Sequence, residues 1–457
     1  MSKNLFSEFN PVSAKQWKQK IQFDLKGVDY NEALIWNSNE DIDVKPFYHR
    51  DGIKTPVHLS NTNATNWKIC QTIYVSDVSK SNETAINAIH NGAESLKFII
   101  PNNNILLQAL LNDINLNEIS IFFDLHFLDL EYTNQILAFQ SEAGIFVNLD
   151  IIGNLARSGN FYDNFRADFN NYNNIVSRSK TISINVDLYQ NAGATMVQQL
   201  AYGLAHVNEY LNYSEHVVHN TNQETLKIIF NVAIGSNYFF EIAKLRALKQ
   251  LWNTLADEYK LNNDCIIFSI PSKRNKTIYD ANTNMLRTTT ECMSAILGGS
   301  DYICNLPYDA PFKKDHNFSA RIARNQLLIL KNESYFNKVK NPVDGAYYIE
   351  TLTEQLAQKA LDLFKDIENN GGFLKQLKNG TIQRKIKESA NKEQQLFDKE
   401  IEVLVGTNKY PNSEESINEH LEIYPFVKTI KRKTLIEPVI EKRLSEILEQ
   451  NRLKNEN

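Results

Sequence analysis

Apolar residues along this chain gather in short runs, separated by longer stretches in which they recur every three or four positions. Eight runs are rich in β-branched and aromatic residues: Trp67 to Val75, Ser95 to Pro101, Ile119 to Phe127, Gly144 to Ile152, Thr181 to Leu188, Leu226 to Ile234, Cys265 to Pro271 and Asp301 to Pro307. Runs of this kind, alternating with helical patterns, are expected of parallel strands buried on both faces. Eight is the number that closes a barrel, so the pattern predicts an α/β fold, a (β/α)8 TIM barrel. Between the runs, Ile242, Leu245, Leu248, Trp252, Leu255 and Tyr259 form one helical stripe. In Asn284 to Gly299, Met285, Met293, Ile296 and Leu297 are expected to face inward, with Gly298 and Gly299 as a left-handed stop. The small residues Ala192, Gly193 and Ala194 read as a hinge between a buried strand and a long amphipathic helix.

Both ends carry material beyond the barrel. Residues 1–60 form an N-terminal arm, 61–335 the barrel and 336–457 a C-terminal helical extension. In the arm, Ser13 and Gln16 fit a capping box for a helix through Leu25, and Tyr48 to Gly52 reads as a turn. An arm this long is expected to wrap a partner. After the last strand, His316 to Lys331 and Leu352 to Asn370 read as helices, Gly371, Gly372 and Gly406 as punctuation, and Pro438 to Lys454 as a charged helix. The asparagine-rich stretches Asn102 to Asn104 and Asn170 to Asn174 read as polar loops.

Composition narrows the class. With 42% hydrophobic and 23% charged residues in 457, the chain can build a sizeable soluble core. No apolar run reaches the roughly 18 residues of a membrane helix, and no apolar block follows the first lysine, so a cytoplasmic location is expected. A net charge of −5 gives no electrostatic reason for a nucleic-acid partner, and the basic run Lys431 to Lys433 reads as a solvated helix approach. Cys70, Cys265, Cys292 and Cys304 are scattered without a Cys-x-x-Cys pair, and are read as reduced thiols.

Polar residues at the C-terminal ends of barrel strands are the first place to seek chemistry. Asp124, His126, Asp150 and Asp187 lie near such ends. On residue type alone they suit a zinc- or manganese-dependent hydrolase; the alternative is that they bond one another and loop arginines or lysines. His216 and His219 share a helical spacing but sit in a polar loop, and read as surface histidines.

Several segments carry a resemblance to a known family. WKICQTIYV from Trp67, FFEIAKLRALKQLW from Phe239, NMLRTTTECMSAILGGSD from Asn284, LPYDAPF from Leu306, FSARIARNQLLIL from Phe318, the long run from Asn341 to Glu368 and VGTNKYP from Val405 follow one another in the order and spacing of the methylmalonyl-CoA mutase family. GNLARSG from Gly153, VDLYQNAGA from Val186 and LPYDAPF resemble the smaller, non-catalytic subunit of the heterodimeric enzyme better than the catalytic one.

The resemblance implies losses at three strand ends. The family's catalytic chains read SISGYHIREAGA, with a histidine over the substrate thioester; the match through Ser183, Ile184 and Ala192 to Ala194 puts Leu188 there, which neither donates a hydrogen bond nor carries charge. The tyrosine that precedes the first barrel strand in catalytic chains has no counterpart in Ser60 to Thr65, and an HSQTSG turn is replaced by Ser272, Lys273, Arg274 and Asn275. Arg287 and Arg321 match family arginines and are expected in structural ion pairs. The family's cobalt-ligating Asp-x-His-x-x-Gly motif is absent; the only Asp-x-His is Asp124-Leu125-His126, inside a strand. The resemblance therefore implies no catalytic, cofactor-binding or metal residues in this chain. It implies adenosylcobalamin bound by a partner, the large catalytic subunit, in a heterodimer that interconverts (R)-methylmalonyl-CoA and succinyl-CoA. The competing expectation is a catalytically active acyl-CoA mutase barrel that uses a separate cobalamin-binding chain.

Overall fold

A computed structural model describes residues 7–52, 64–214, 226–428 and 432–456. All eight apolar runs are strands: β1 Lys68–Tyr74, β2 Ser95–Ile100, β3 Ser120–Leu125, β4 Ile145–Asn148, β5 Thr181–Asn185, β6 Lys227–Ile234, β7 Cys265–Pro271 and β8 Tyr302–Cys304. They form one parallel sheet in the order β4-β3-β2-β1-β8-β7-β6-β5, nearly closed into a barrel. First and last strands meet in register, Cys304 opposite Cys70 and Ile303 opposite Ile69. In β6 every residue after Lys227 is buried, because the lumen takes one set of side chains and the helical layer the other.

Helix Tyr238–Tyr259 buries the predicted stripe from Ile242 to Leu255 and half-buries Tyr259, with Trp252 against Phe230 at 6.0 Å between centroids. Its other face is buried too, under helix Tyr347–Asn369 of the extension. Arg246, 1% exposed, donates from its two terminal nitrogens to Asp344 at 2.5 Å and Glu350 at 2.9 Å across that contact. Such a buried charge is tolerated because both partners come with it.

Four expectations are corrected. Asn170 to Asn174 lie inside helix Phe165–Ser179, where Phe169, Tyr172, Ile175 and Val176 make a buried stripe that the asparagines hide. Helix Thr283–Leu297 turns Asn284, Thr288, Glu291, Cys292 and Ala295 inward along with Ile296, while Met285, Met293 and Leu297 are only half-buried. Only Gly299 of its terminal pair is left-handed, at φ 89°, and Gly298 is right-handed. The charged C-terminal helix is shorter than expected, Glu446–Lys454, and the residues before it run without helix, because their backbone groups bond to the barrel instead. Helix Thr381–Asp398 is an element the sequence pattern did not suggest.

In the arm the capping box is formed. Gln16 N donates to Ser13 Oγ and Ser13 N to Gln16 Oε1, starting helix Ala14–Asp24. That helix buries none of its residues. After it, a small antiparallel hairpin, Trp36–Asn37 with Asp43–Val44, brings Glu40 to the start of helix Met196–Tyr213. The Glu40 carboxylate accepts from Met196 N and Val197 N, both at 2.9 Å, where the helix dipole favours an anion.

Candidate functional site

The lumen is filled by side chains that meet across it from opposite strands as well as along neighbouring ones. Phe122 on β3 lies 4.7 Å from Phe146, 5.1 Å from Phe268 on β7 and 4.7 Å from Tyr302 on β8, centroid to centroid. Cys70, Ile229 and Cys304 complete this layer. Contacts between β3 and β7 cross the interior, so these rings plug it. A polar layer accompanies them. Lys97 Nζ, on β2, sits 3.0 Å from Asp124 Oδ2 and 4.9 Å from the centre of the Phe268 ring. Asn231 on β6 donates to Ser183 Oγ at 2.9 Å and Asn185 Oδ1 at 3.3 Å, and accepts from Lys97 and Asn148 at 3.5 Å. Burial works to lower the Lys97 pKa, but Asp124 and Asp187 raise it further, so the ammonium stays charged.

The four strand-end candidates go separate ways. Asp124 is held by Lys97, and His126 is exposed. Asp187 stands 3.9 Å from Arg157, its carboxyl pushed up chiefly by burial. Among the described residues no three His, Cys, Asp or Glu side chains converge as metal ligands would. The thiols are free; burial pushes Cys265 up to about 12 and Cys70 and Cys292 well above the ordinary range. His216 and His219 lie outside the described residues, as do Lys431 and most of Ser60 to Thr65. Arg432 of the basic run reaches the Ser158 carbonyl at 2.6 Å.

Asp150 belongs to a buried network that sequence reading missed. Its Oδ1 accepts from Gly153 N at 2.7 Å, Tyr210 Oη at 2.6 Å and His206 Nε2 at 3.0 Å; its Oδ2 accepts from Asn185 N at 2.8 Å. Burial raises its pKa, but the His206 and Tyr210 contacts and the Gly153 amide bring it below the usual carboxylate range. His206 Nδ1 meets Tyr189 Oη at 2.9 Å, and the ring stacks on Phe373 at 11° between planes. In a catalytic His–Asp pair the second ring nitrogen faces substrate. Here it faces another core side chain, so the chain of bonds ends inside the protein. The one signal available beforehand was a histidine and a tyrosine one turn apart on the apolar face of AHVNEY.

β5 ends at Asn185, and Leu188 sits beyond it in the short helix Asp187–Asn191, wholly buried in the core. In the turn after β7, Ser272 Oγ donates to Asn191, Arg274 binds Glu393 at 2.6 Å and the Lys442 carbonyl at 2.9 Å, and Asn275 donates to Glu291. Gly193, at φ 94°, lets Arg274 approach, since a Cβ there would stand 2.8 Å from the guanidinium. The expected ion pair of Arg287 is replaced by hydrogen bonds to Thr277, Thr283, Asn284 and the Val405 carbonyl. The Arg321 guanidinium lies 5.8 Å from the Phe318 ring.

Segment 434–445 of the extension runs as a strap over the strand-end loops. Leu435 and Ile436 donate backbone N–H to Gly159 O, Val439 to Ala156 O, Lys442 to Asn191 O and Leu444 to Arg274 O. Beside it a cavity of about 400 Å³ remains between the arm hairpin, the loops after β5, β6 and β7, and helix Thr381–Asp398; Glu40, Gln190, Thr195, Ser236, Arg274 and Glu393 are among its walls. Two of its charged groups, Arg274 and Glu393, neutralise each other, and Glu40 is spent on the helix it caps.

Comparison with known proteins fits this picture. The profile of the family described as methylmalonyl-CoA mutase matches residues 107–452. A methylmalonyl-CoA mutase small subunit of Porphyromonas gingivalis is 36% identical over 440 residues, covering 89% of this chain and 71% of that protein. The small subunit of Streptomyces virginiae is 26% identical over 89% of this chain and 72% of its own length. The large subunit of Porphyromonas gingivalis is 33% identical over 54% of this chain and 35% of its own length. By the extent of these matches the chain belongs to the methylmalonyl-CoA mutase family, and its long-range likeness is to the small subunits.

Proposed function

We propose that this chain is the non-catalytic subunit of a heterodimeric methylmalonyl-CoA mutase, in which a larger homologous chain performs the adenosylcobalamin-dependent exchange of (R)-methylmalonyl-CoA and succinyl-CoA. The observation that carries the reading is the state of the barrel axis. Phe122, Phe146, Phe268 and Tyr302 occupy the lumen, and Leu188 is packed into the core. A cobalamin-dependent reaction needs an enclosed cavity that holds substrate beside the cofactor. Among the described strand-end and core residues none is set to ligate the cofactor either: Asp124 is engaged by Lys97, His126 has no carboxylate partner and lies exposed past the end of β3, and His206 is sealed in the core. No step is therefore assigned to this chain.

Its role in this reading is to support the partner, in the cytoplasm. The arm supplies the means: helix Ala14–Asp24 buries no residue, while Trp17 is 50% and Phe23 79% exposed. Large apolar side chains left in water on a folded helix are the mark of a surface completed by another chain. The test is purification of this chain alone and with a larger homologue from the same source. Alone it should give no mutase turnover and no cobalamin absorbance; together the two should elute as one species with activity. Turnover by this chain supplied with a cobalamin-binding chain that has no barrel of its own would establish the active-barrel alternative instead.

A further inference from the structure

Barrel closure changes its chemistry at one boundary. Every other neighbouring pair of strands is joined by a parallel ladder, whereas no ladder pairs β4 with β5 among the described residues. A strand edge without a ladder leaves amide and carbonyl groups that side chains must satisfy.

Two carboxylates stand across this seam. Asp150, two residues past the end of β4, caps helix Ile151–Ser158 on its own side through Gly153 N and accepts from Asn185 N, the last residue of β5, on the other. Glu441 stands outside it. One oxygen is 3.3 Å from Arg157 Nε on the β4 side and the other 3.3 Å from Asn191 Nδ2 on the β5 side. The strap that carries Glu441 is fastened to the same two sides by its backbone, Val439 N to Ala156 O and Lys442 N to Asn191 O. Asp187, 3.9 Å from Arg157, adds a further tie across the gap.

We propose that Asp150 and Glu441 form a double carboxylate clasp that holds the barrel shut at the β4–β5 seam, with the C-terminal strap as its outer half. The inner clasp is specific to a carboxylate. Four donors converge on its two oxygens, from Gly153, Asn185, His206 and Tyr210, so no position is left where an amide NH₂ could stand without facing one of them. A ladder spreads closure over many bonds. A clasp concentrates it in two groups, so its loss opens the structure locally. The inference rests on this geometry and is independent of the proposed function.

Hydrogen exchange of the full chain, followed by peptide mass analysis, tests it. Asp150→Asn should speed amide exchange about tenfold in 145–158 and 181–191 while β2, β3, β6 and β7 keep their protection. Glu441→Gln should give a smaller rise, about threefold, in 151–159 and along the strap. Should Asp150→Asn fail to fold, Glu441→Gln and Arg157→Gln, both at partly exposed positions, carry the test with the same seam-limited pattern expected. Faster exchange spread evenly over all eight strands, or unchanged exchange at the seam in the folded variants, overturns the clasp.

Discussion

Single side chains decide what the lumen can hold. Phe122 touches three other rings and is fully buried, so Phe122→Ala removes the centre of the plug and should cost about 3–5 kcal/mol in denaturant unfolding, without any gain of turnover. Another group sets a pH dependence. The Glu368 carboxyl is raised to about 7 by burial and by the nearby Glu209, against 4.5 for the free side chain. A raised carboxyl favours the folded state below its unfolded pKa, and that contribution disappears as pH rises through the folded one. Stability should therefore fall between pH 4.5 and 7 on account of this group. Because Glu368 is only partly buried, the effect after solvent screening is about 1 kcal/mol, and Glu368→Gln should flatten that part of a pH series of melting curves. Neither Glu368 nor the Asp150 network was legible beforehand. Asp150 and His206 are 56 residues apart, and nothing in composition or period pairs them.

Elements differ in how openly the sequence declares them. The eight strands stand out because burial on both faces keeps most of their positions apolar, the polar ones such as Lys97, Asp124 and Asn231 pairing with one another in the lumen. Helix Phe165–Ser179 does not, since its asparagines face outward and break the impression of a helix while Phe169, Tyr172, Ile175 and Val176 hold the inner stripe. The strap over 434–445 has no period of its own, because its backbone groups are satisfied by the barrel loops rather than by each other. Helix Ala14–Asp24 is the reverse case: its capping box was readable, and none of its residues is buried, Trp17 being 50% and Phe23 79% exposed. Phe23→Ser should accordingly leave the melting temperature of the isolated chain within about 2 °C while weakening association with the larger chain about tenfold or more, read by titration calorimetry. A melting point that drops with unchanged association would mean that Phe23 packs within its own subunit.

For the whole molecule, family and architecture were legible from motif order, whereas the plugging of the barrel was not. The rings come from β3, β4, β7 and β8, and only closure of the sheet brings them face to face. That closed lumen, together with an arm helix that buries none of its residues, is the physical basis for reading the chain as a scaffold for a catalytic relative. The most direct measurement is a mutase assay of the purified chain with adenosylcobalamin and (R)-methylmalonyl-CoA, run beside the same chain recombined with its larger homologue. The account predicts no succinyl-CoA from the chain alone and full turnover from the pair; succinyl-CoA formed by this chain in the absence of any second barrel would contradict it.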